Sequence, residues 1–124
     1  MPIAMQYGAS GRGNAGGLTM DLLWENSAPS SNFAAQNVSV NLSAYKMFGI
    51  VMWYSTTTQD ETPMNMYTVD EAPKYLMISG SNNRGGARVV TYDGTNGALS
   101  FADATYNSGT NNAYLIPLRI YGIR

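Results

Sequence analysis

The chain has 124 residues, enough to bury one hydrophobic core but not two, and its 44% hydrophobic share excludes disorder throughout. Only 12% of residues are charged, the net charge is −1 and the seven basic residues are scattered, so no basic stripe exists for nucleic acid. Cysteine and histidine are both absent, which removes disulfide frameworks, thiolate nucleophiles, Cys/His zinc sites and the Ser-His-Asp triad together.

With so little charge, the polar surface must come from Gly, Ser, Thr and Asn, which suit turns and strand faces better than helix faces. Met1-Pro-Ile-Ala-Met5 is not followed by an apolar h-region, so no signal peptide is read, and no apolar run reaches membrane-spanning length. Gly8-Ala-Ser-Gly-Arg-Gly-Asn-Ala-Gly-Gly17 lacks the Gly-Lys-Ser/Thr of a phosphate-cradling loop and reads as a linker. Residues 1–17 are therefore expected to form a flexible N-terminal arm that attaches the domain, residues 18–124, to a neighbour.

Met20 to Trp24 is a short apolar stretch, followed by a Pro/Ser/Asn loop from Glu25 to Asn32. Val38-Ser-Val-Asn-Leu42 alternates with period two, as a half-buried strand requires. Met47-Phe-Gly-Ile-Val-Met-Trp-Tyr54 is nearly continuous in apolar, β-branched and aromatic residues, which favours a central strand buried on both faces over a helix. Ser55 to Thr62 is a Thr-rich loop, and Pro63 to Pro73 reads as a longer excursion. Lys74 to Ile78, Arg88 to Tyr92 and Ala98 to Phe101 are strands, joined by the Gly80–Gly86 and Asp93–Gly97 turns. Another turn, Asn107 to Asn112, precedes a terminal strand in which Leu118 and Ile120 oppose Arg119 and Tyr121. Pro117 then needs an edge, a bulge or a change of sheet. Eight or so short strands with turns about every ten residues predict an all-β fold, an antiparallel, jelly-roll-like β-sandwich.

Without His or Cys, catalysis would fall to carboxylates: Asp21, Glu25, Asp60, Glu61, Asp70, Glu71, Asp93 and Asp103. No spacing among them singles out an acid–base pair, and loop carboxylates that aid solubility explain them, so no catalytic residue, metal or cofactor is assigned. Asn37-Val-Ser39 and Asn41-Leu-Ser43 match the glycosylation pattern but fall on the expected strand. Trp24, Trp53 and the tyrosines suit either a core or a sugar-stacking surface. Ligand or receptor contacts, if the chain makes them, are expected from polar loop residues: Thr56, Thr57 and Thr58; Asn82, Asn83 and Arg84; and Asn107, Asn111 and Asn112.

Two end stretches, Leu22-Leu-Trp-Glu-Asn-Ser-Ala-Pro-Ser-Ser-Asn-Phe-Ala-Ala-Gln36 and Asn111-Asn-Ala-Tyr-Leu-Ile-Pro-Leu-Arg-Ile-Tyr-Gly-Ile-Arg124, carry a resemblance that the alternating Val38 to Leu42, Tyr45 and the apolar strand after it continue. With the strand texture between them, the chain from residue 18 resembles the C-terminal β-domain of tail-fibre and minor structural proteins of tailed phages and prophages of Gram-positive and gut bacteria. The resemblance implies a virion component, a homotrimer acting in host attachment by binding a cell-surface glycan or protein, with other virion proteins held through the N-terminal arm. It carries no catalytic motif, nucleic-acid partner or membrane insertion. A capsid decoration or head-fibre protein, a carbohydrate-binding module and a small carboxylate-dependent hydrolase are the rival readings.

Overall fold

A computed structural model describes residues 19–69, 74–81 and 84–124, with the backbone alone for residues 74–81 and 84–85. The expected arm, residues 1–17, lies outside the described residues, as do Leu18, Asp70, Glu71, Asn82 and Asn83. The described chain is all-β, a sandwich of two antiparallel sheets. Its strands are β1 (Met20–Glu25), β2 (Gln36–Ser39), β3 (Met47–Ser55), β4 (Asn65–Thr68), β5 (Lys74–Ser81), β6 (Arg84–Asp93), β7 (Ala98–Phe101), β8 (Thr105–Tyr106), β9 (Gly109–Thr110) and β10 (Tyr114–Ile123). One sheet has the order β1-β10-β3-β4; the other runs β2-β7-β6-β8-β9, with β5 on the free edge of β6. The jelly-roll character comes from the chain ends, where β1 pairs with β10 and β2 with β7 after crossings between sheets. In the middle of the chain, β3–β4 is a plain hairpin in the first sheet and β5–β6–β7 a plain meander in the second.

The core lies between the sheets. Phe48, Ile50 and Met52 of β3, Ile116 and Ile120 of β10, Val90 of β6, and Leu99 and Phe101 of β7 are all essentially inaccessible. Burial of each such side chain is worth about 1.5–3 kcal/mol. The expected central strand is β3, paired with β10 on one edge and β4 on the other. Gly49 leaves room over its outer face for the Met64 side chain, which a Cβ there would displace.

Three details depart from the sequence reading. The strand expected over Val38–Leu42 ends at Ser39, although Val38, Val40 and Leu42 remain buried and Asn37, Ser39 and Asn41 exposed, so the period-two pattern outlasts the ladder. The excursion from Pro63 contains β4, a four-residue edge strand paired only to β3, too short and too polar to announce itself. The turn expected over Gly80–Gly86 is narrower, since the β5–β6 ladder continues to Ser81↔Arg84. The Asp93 turn is as read: its carboxylate accepts from the backbone N–H groups of Thr95 (3.0 Å) and Asn96 (3.2 Å), and Gly97 takes a φ of 62°.

β10 is more irregular than its alternation implied. Leu115, Ile116, Pro117 and Leu118 are buried in succession, which plain pleating forbids. Leu115 adopts a φ of 52°, and the register against β3 slips between Pro117 and Arg119, so a turned residue and a bulge re-aim the run into the core. Pro117 thus sits at a bulge, one of the three places open to it.

Candidate functional site

Strand directions gather several loops at one end of the sandwich. β3 ends there at Ser55 opposite Tyr114, β1 ends at Glu25 opposite Arg119, and β7 ends at Phe101. The 26–35 loop, the 56–61 loop and the 102–113 segment therefore share this end. Asn26 ties the first of these to β10: its backbone N–H donates to the Leu118 carbonyl (2.8 Å), its side-chain amide donates to the Pro117 carbonyl (2.9 Å), and its Oδ1 accepts from Ala28 N–H (2.8 Å). Phe33 N–H donates to the Asn112 carbonyl at 2.9 Å, and Ala35 N–H donates to Asp103 Oδ1 at 3.0 Å. Both chain stretches that carry the resemblance meet in this network.

The expected contact residues divide on inspection. Thr56, Thr57 and Thr58 lie in a tight loop after β3, where the buried Ser55 hydroxyl accepts from Thr57 N–H (3.2 Å) and Thr58 N–H (2.8 Å). Thr56 N–H donates to the Ala113 carbonyl at 2.8 Å, so the Thr loop and the Asn111 turn are neighbours, as a shared site would need. Gln59 Nε2 reaches Ser30 Oγ at 3.5 Å and joins the 26–35 loop to the same group. Asn112 serves the fold: its Oδ1 accepts from Ala104 N–H (2.8 Å) and its amide donates to Asp103 (2.8 Å). Asn107 is a turn residue with a φ of 52°, and Asn111 accepts from Ala113 N–H at 3.1 Å. Arg84 opens β6 at this end, and Asn82 and Asn83 lie outside the described residues.

Aromatic residues concentrate here too. Tyr54 meets Tyr114 edge-on with centroids 5.8 Å apart, and Tyr114 stacks on Tyr106 at 3.9 Å with rings 4° from parallel. The 26–32 loop lines a separate depression of about 320 Å³, together with Trp24, Glu25, Phe33 and Gln36. Trp24 is half-buried and packs edge-on to Phe33 at 6.3 Å. A second depression of about 380 Å³ at the opposite end is lined by Ser39 to Asn41 and the 94–97 turn, without an aromatic ring.

Among the described residues, the carboxylates that have partners are engaged separately. Asp21 takes the Tyr45 hydroxyl (2.8 Å) and Arg124 (3.3 Å), Glu61 pairs with Arg119 at 2.6 Å, and Asp93 caps its turn. Hydrogen bonds from Asn96 hold the Asp93 carboxyl below the usual range, and hydrogen bonds from Asn112 and Ala35 do the same for Asp103. A general acid needs the opposite shift. Among the described residues no group of three potential metal ligands forms, and no helix is long and apolar enough to cross a membrane.

One residue of this end went unread in the sequence. Arg88 is 1% exposed, and its guanidinium donates to three backbone carbonyls: Ala102 at 2.8 Å, Tyr114 at 3.0 Å and Leu115 at 3.1 Å. The Phe33 ring lies 5.2 Å from its central carbon. Burial pulls the guanidinium down to about 10, with the Asp103 charge working the other way, so it stays charged through the neutral range. The signal was present: in Arg88-Val-Val-Thr-Tyr92, period two puts Arg88 on the same inward face as Val90. Arg88 thus bolts β6 to β10 across the sandwich and fixes the floor beneath the loops.

Comparison of the chain with protein-family models, with curated proteins and with solved structures returned no match.

Proposed function

We propose that this chain is a virion structural protein of the tail-fibre, receptor-binding type, which attaches a phage particle to its host surface as a homotrimer and works by binding, without catalysis. The observation that carries the reading is the junction of the two stretches that resemble that class. Leu22–Gln36 and Asn111–Arg124 lie far apart in sequence, yet β1 pairs with β10 along its length and Phe33 is bonded to Asn112. Two remote motifs that build one unit support a shared origin better than two unrelated likenesses would. The separate engagement of Asp21, Glu61, Asp93 and Asp103, each by its own partners, supports binding over hydrolysis. Low charge supports packing of copies about a symmetry axis, because few charges would need partners once buried.

A carbohydrate-binding module acting as a monomer is favoured by a different observation, the depression that Trp24 lines with polar neighbours. Solution mass separates the two readings. A trimer that adsorbs to host cells and is found in purified particles supports the virion role. A monomer at high concentration that binds soluble polysaccharide supports the module instead.

A further inference from the structure

We infer that the depression under the 26–32 loop is a binding site for an uncharged pyranose saccharide, held over Trp24 by the side chains of Glu25, Ser31, Asn32 and Gln36. The inference rests on the attachment reading and gives it a place and a ligand class.

A volume of about 320 Å³ is at the small end of ligand sites, matching one or two sugar rings better than a peptide or an extended cofactor. The half-buried Trp24 offers an aromatic surface for the C–H face of a sugar, and its edge-on packing against Phe33 sets its plane. The polar rim remains available. Glu25, Ser27, Ser31 and Asn32 make no side-chain hydrogen bond or ion pair among the described residues, and the Gln36 amide donates only to the Ala34 carbonyl (3.0 Å), leaving its oxygen open. Glu25 sits across from Arg119 in the ladder, but Arg119 is engaged by Glu61, so the Glu25 carboxylate is left to accept from ligand hydroxyls.

Charge narrows the ligand further. The lining holds one carboxylate and no basic side chain, which disfavours sialylated or phosphate-bearing sugars and admits neutral or N-acetylated hexoses. The loop is already fixed by the three bonds of Asn26 and by Phe33, so little ordering is needed when a ligand arrives.

The test is titration of the full chain with neutral oligosaccharides of glucose, galactose, mannose and N-acetylglucosamine, with sialyllactose as the anionic control, followed by calorimetry and NMR. We expect at least one neutral sugar to bind at millimolar or lower concentration and sialyllactose not to. Glu25→Gln and Asn32→Ala should each weaken binding about tenfold, the loss of one good hydrogen bond, with melting temperature unchanged. Thr95→Ala, in the opposite depression, should bind as the parent does. Binding that survives both rim substitutions, preference for the anionic sugar, or no binding across the panel would each overturn the site. A trimer that adsorbs to host cells yet binds none of these sugars would sink this inference and leave the attachment role standing. A sugar-binding monomer would do the reverse.

Discussion

Arg88 shows most clearly how one residue organises the loop-bearing end of the sandwich. A buried ion paired to a carboxylate can often be replaced by an apolar side chain without loss, because both partners can be exchanged for hydrocarbon. The partners here are main-chain carbonyls of residues 102, 114 and 115, which no substitution removes. Arg88→Met should therefore cost about 3 kcal/mol, with buried acceptors left unpaired, and Arg88→Lys should not restore it, because an ammonium cannot present the same planar fork. Urea denaturation of the two variants measures this directly; parental stability in Arg88→Met would remove the bolt from the account. Gly122 is a second fixed point. A Cβ there would come within 2.7 Å of the Tyr45 ring, whose hydroxyl is held by Asp21 and whose face lies 4.8 Å from Arg124.

At the scale of elements, β10 and the β8–β9 hairpin make opposite demands on their sequences. The hairpin turns through Asn107 and Ser108, both at positive φ (52° and 70°), the geometry of a primed two-residue turn. Asn accepts that conformation and Ser does not, so Ser108→Gly should stabilise by about 0.5 kcal/mol: relief of the left-handed strain, less the entropy glycine loses. A lower melting temperature for that variant would contradict the turn assignment. β10 instead is the shared partner of β1 and β3 and supplies Leu115, Ile116, Leu118, Ile120 and Ile123 to the buried set. Deleting the last ten residues leaves both neighbouring strands with a bare edge and should abolish cooperative unfolding in a calorimeter. A truncated chain that still melts sharply would show that β10 is dispensable.

Across the whole molecule, ionisation sets the limits of stability at both ends of the pH scale. The depressed carboxyls of Asp93 and Asp103 contribute stability that is present above the ordinary aspartate value near 4 and is lost as pH falls through their lower folded values. At the alkaline end, burial pushes the Tyr67 phenol up to about 12. Its folded pKa lies above its unfolded one near 10, so this contribution is complete below pH 10 and is lost as pH rises toward 12. Arg88, pulled down to about 10, works with the opposite sign over the same range. A comparison of the parent with Tyr67→Phe cancels the arginine: the two stability curves should run parallel below pH 10, and above it the parent should lose stability relative to the variant. Parallel curves to pH 12 would show that Tyr67 ionises without penalty.

The class of the fold and most of its strands were legible in the amino-acid order alone, because the patterns that mark them are local. Period-two burial in 98–101, the continuous apolar run of 47–54 and the Asp-Gly turn at 93–94 each depend on neighbours a few residues away. Also legible there were the chemistries that are absent, since composition alone removes histidine and cysteine. β4 stayed hidden because an edge strand of four residues draws its stability from β3 and hardly at all from its own pattern. The candidate site was half legible. The Thr56 and Asn111 loops were singled out by turn chemistry, but that they touch, that Asn112 serves the fold, and that Glu25, Asn32 and Gln36 ring a depression over Trp24 were not. Those facts depend on contacts between residues far apart in sequence, such as Asn26 with Pro117, 91 positions away. Only the tertiary structure decides them, because side chains remote in sequence become neighbours through strand register and sheet packing, which no local pattern encodes.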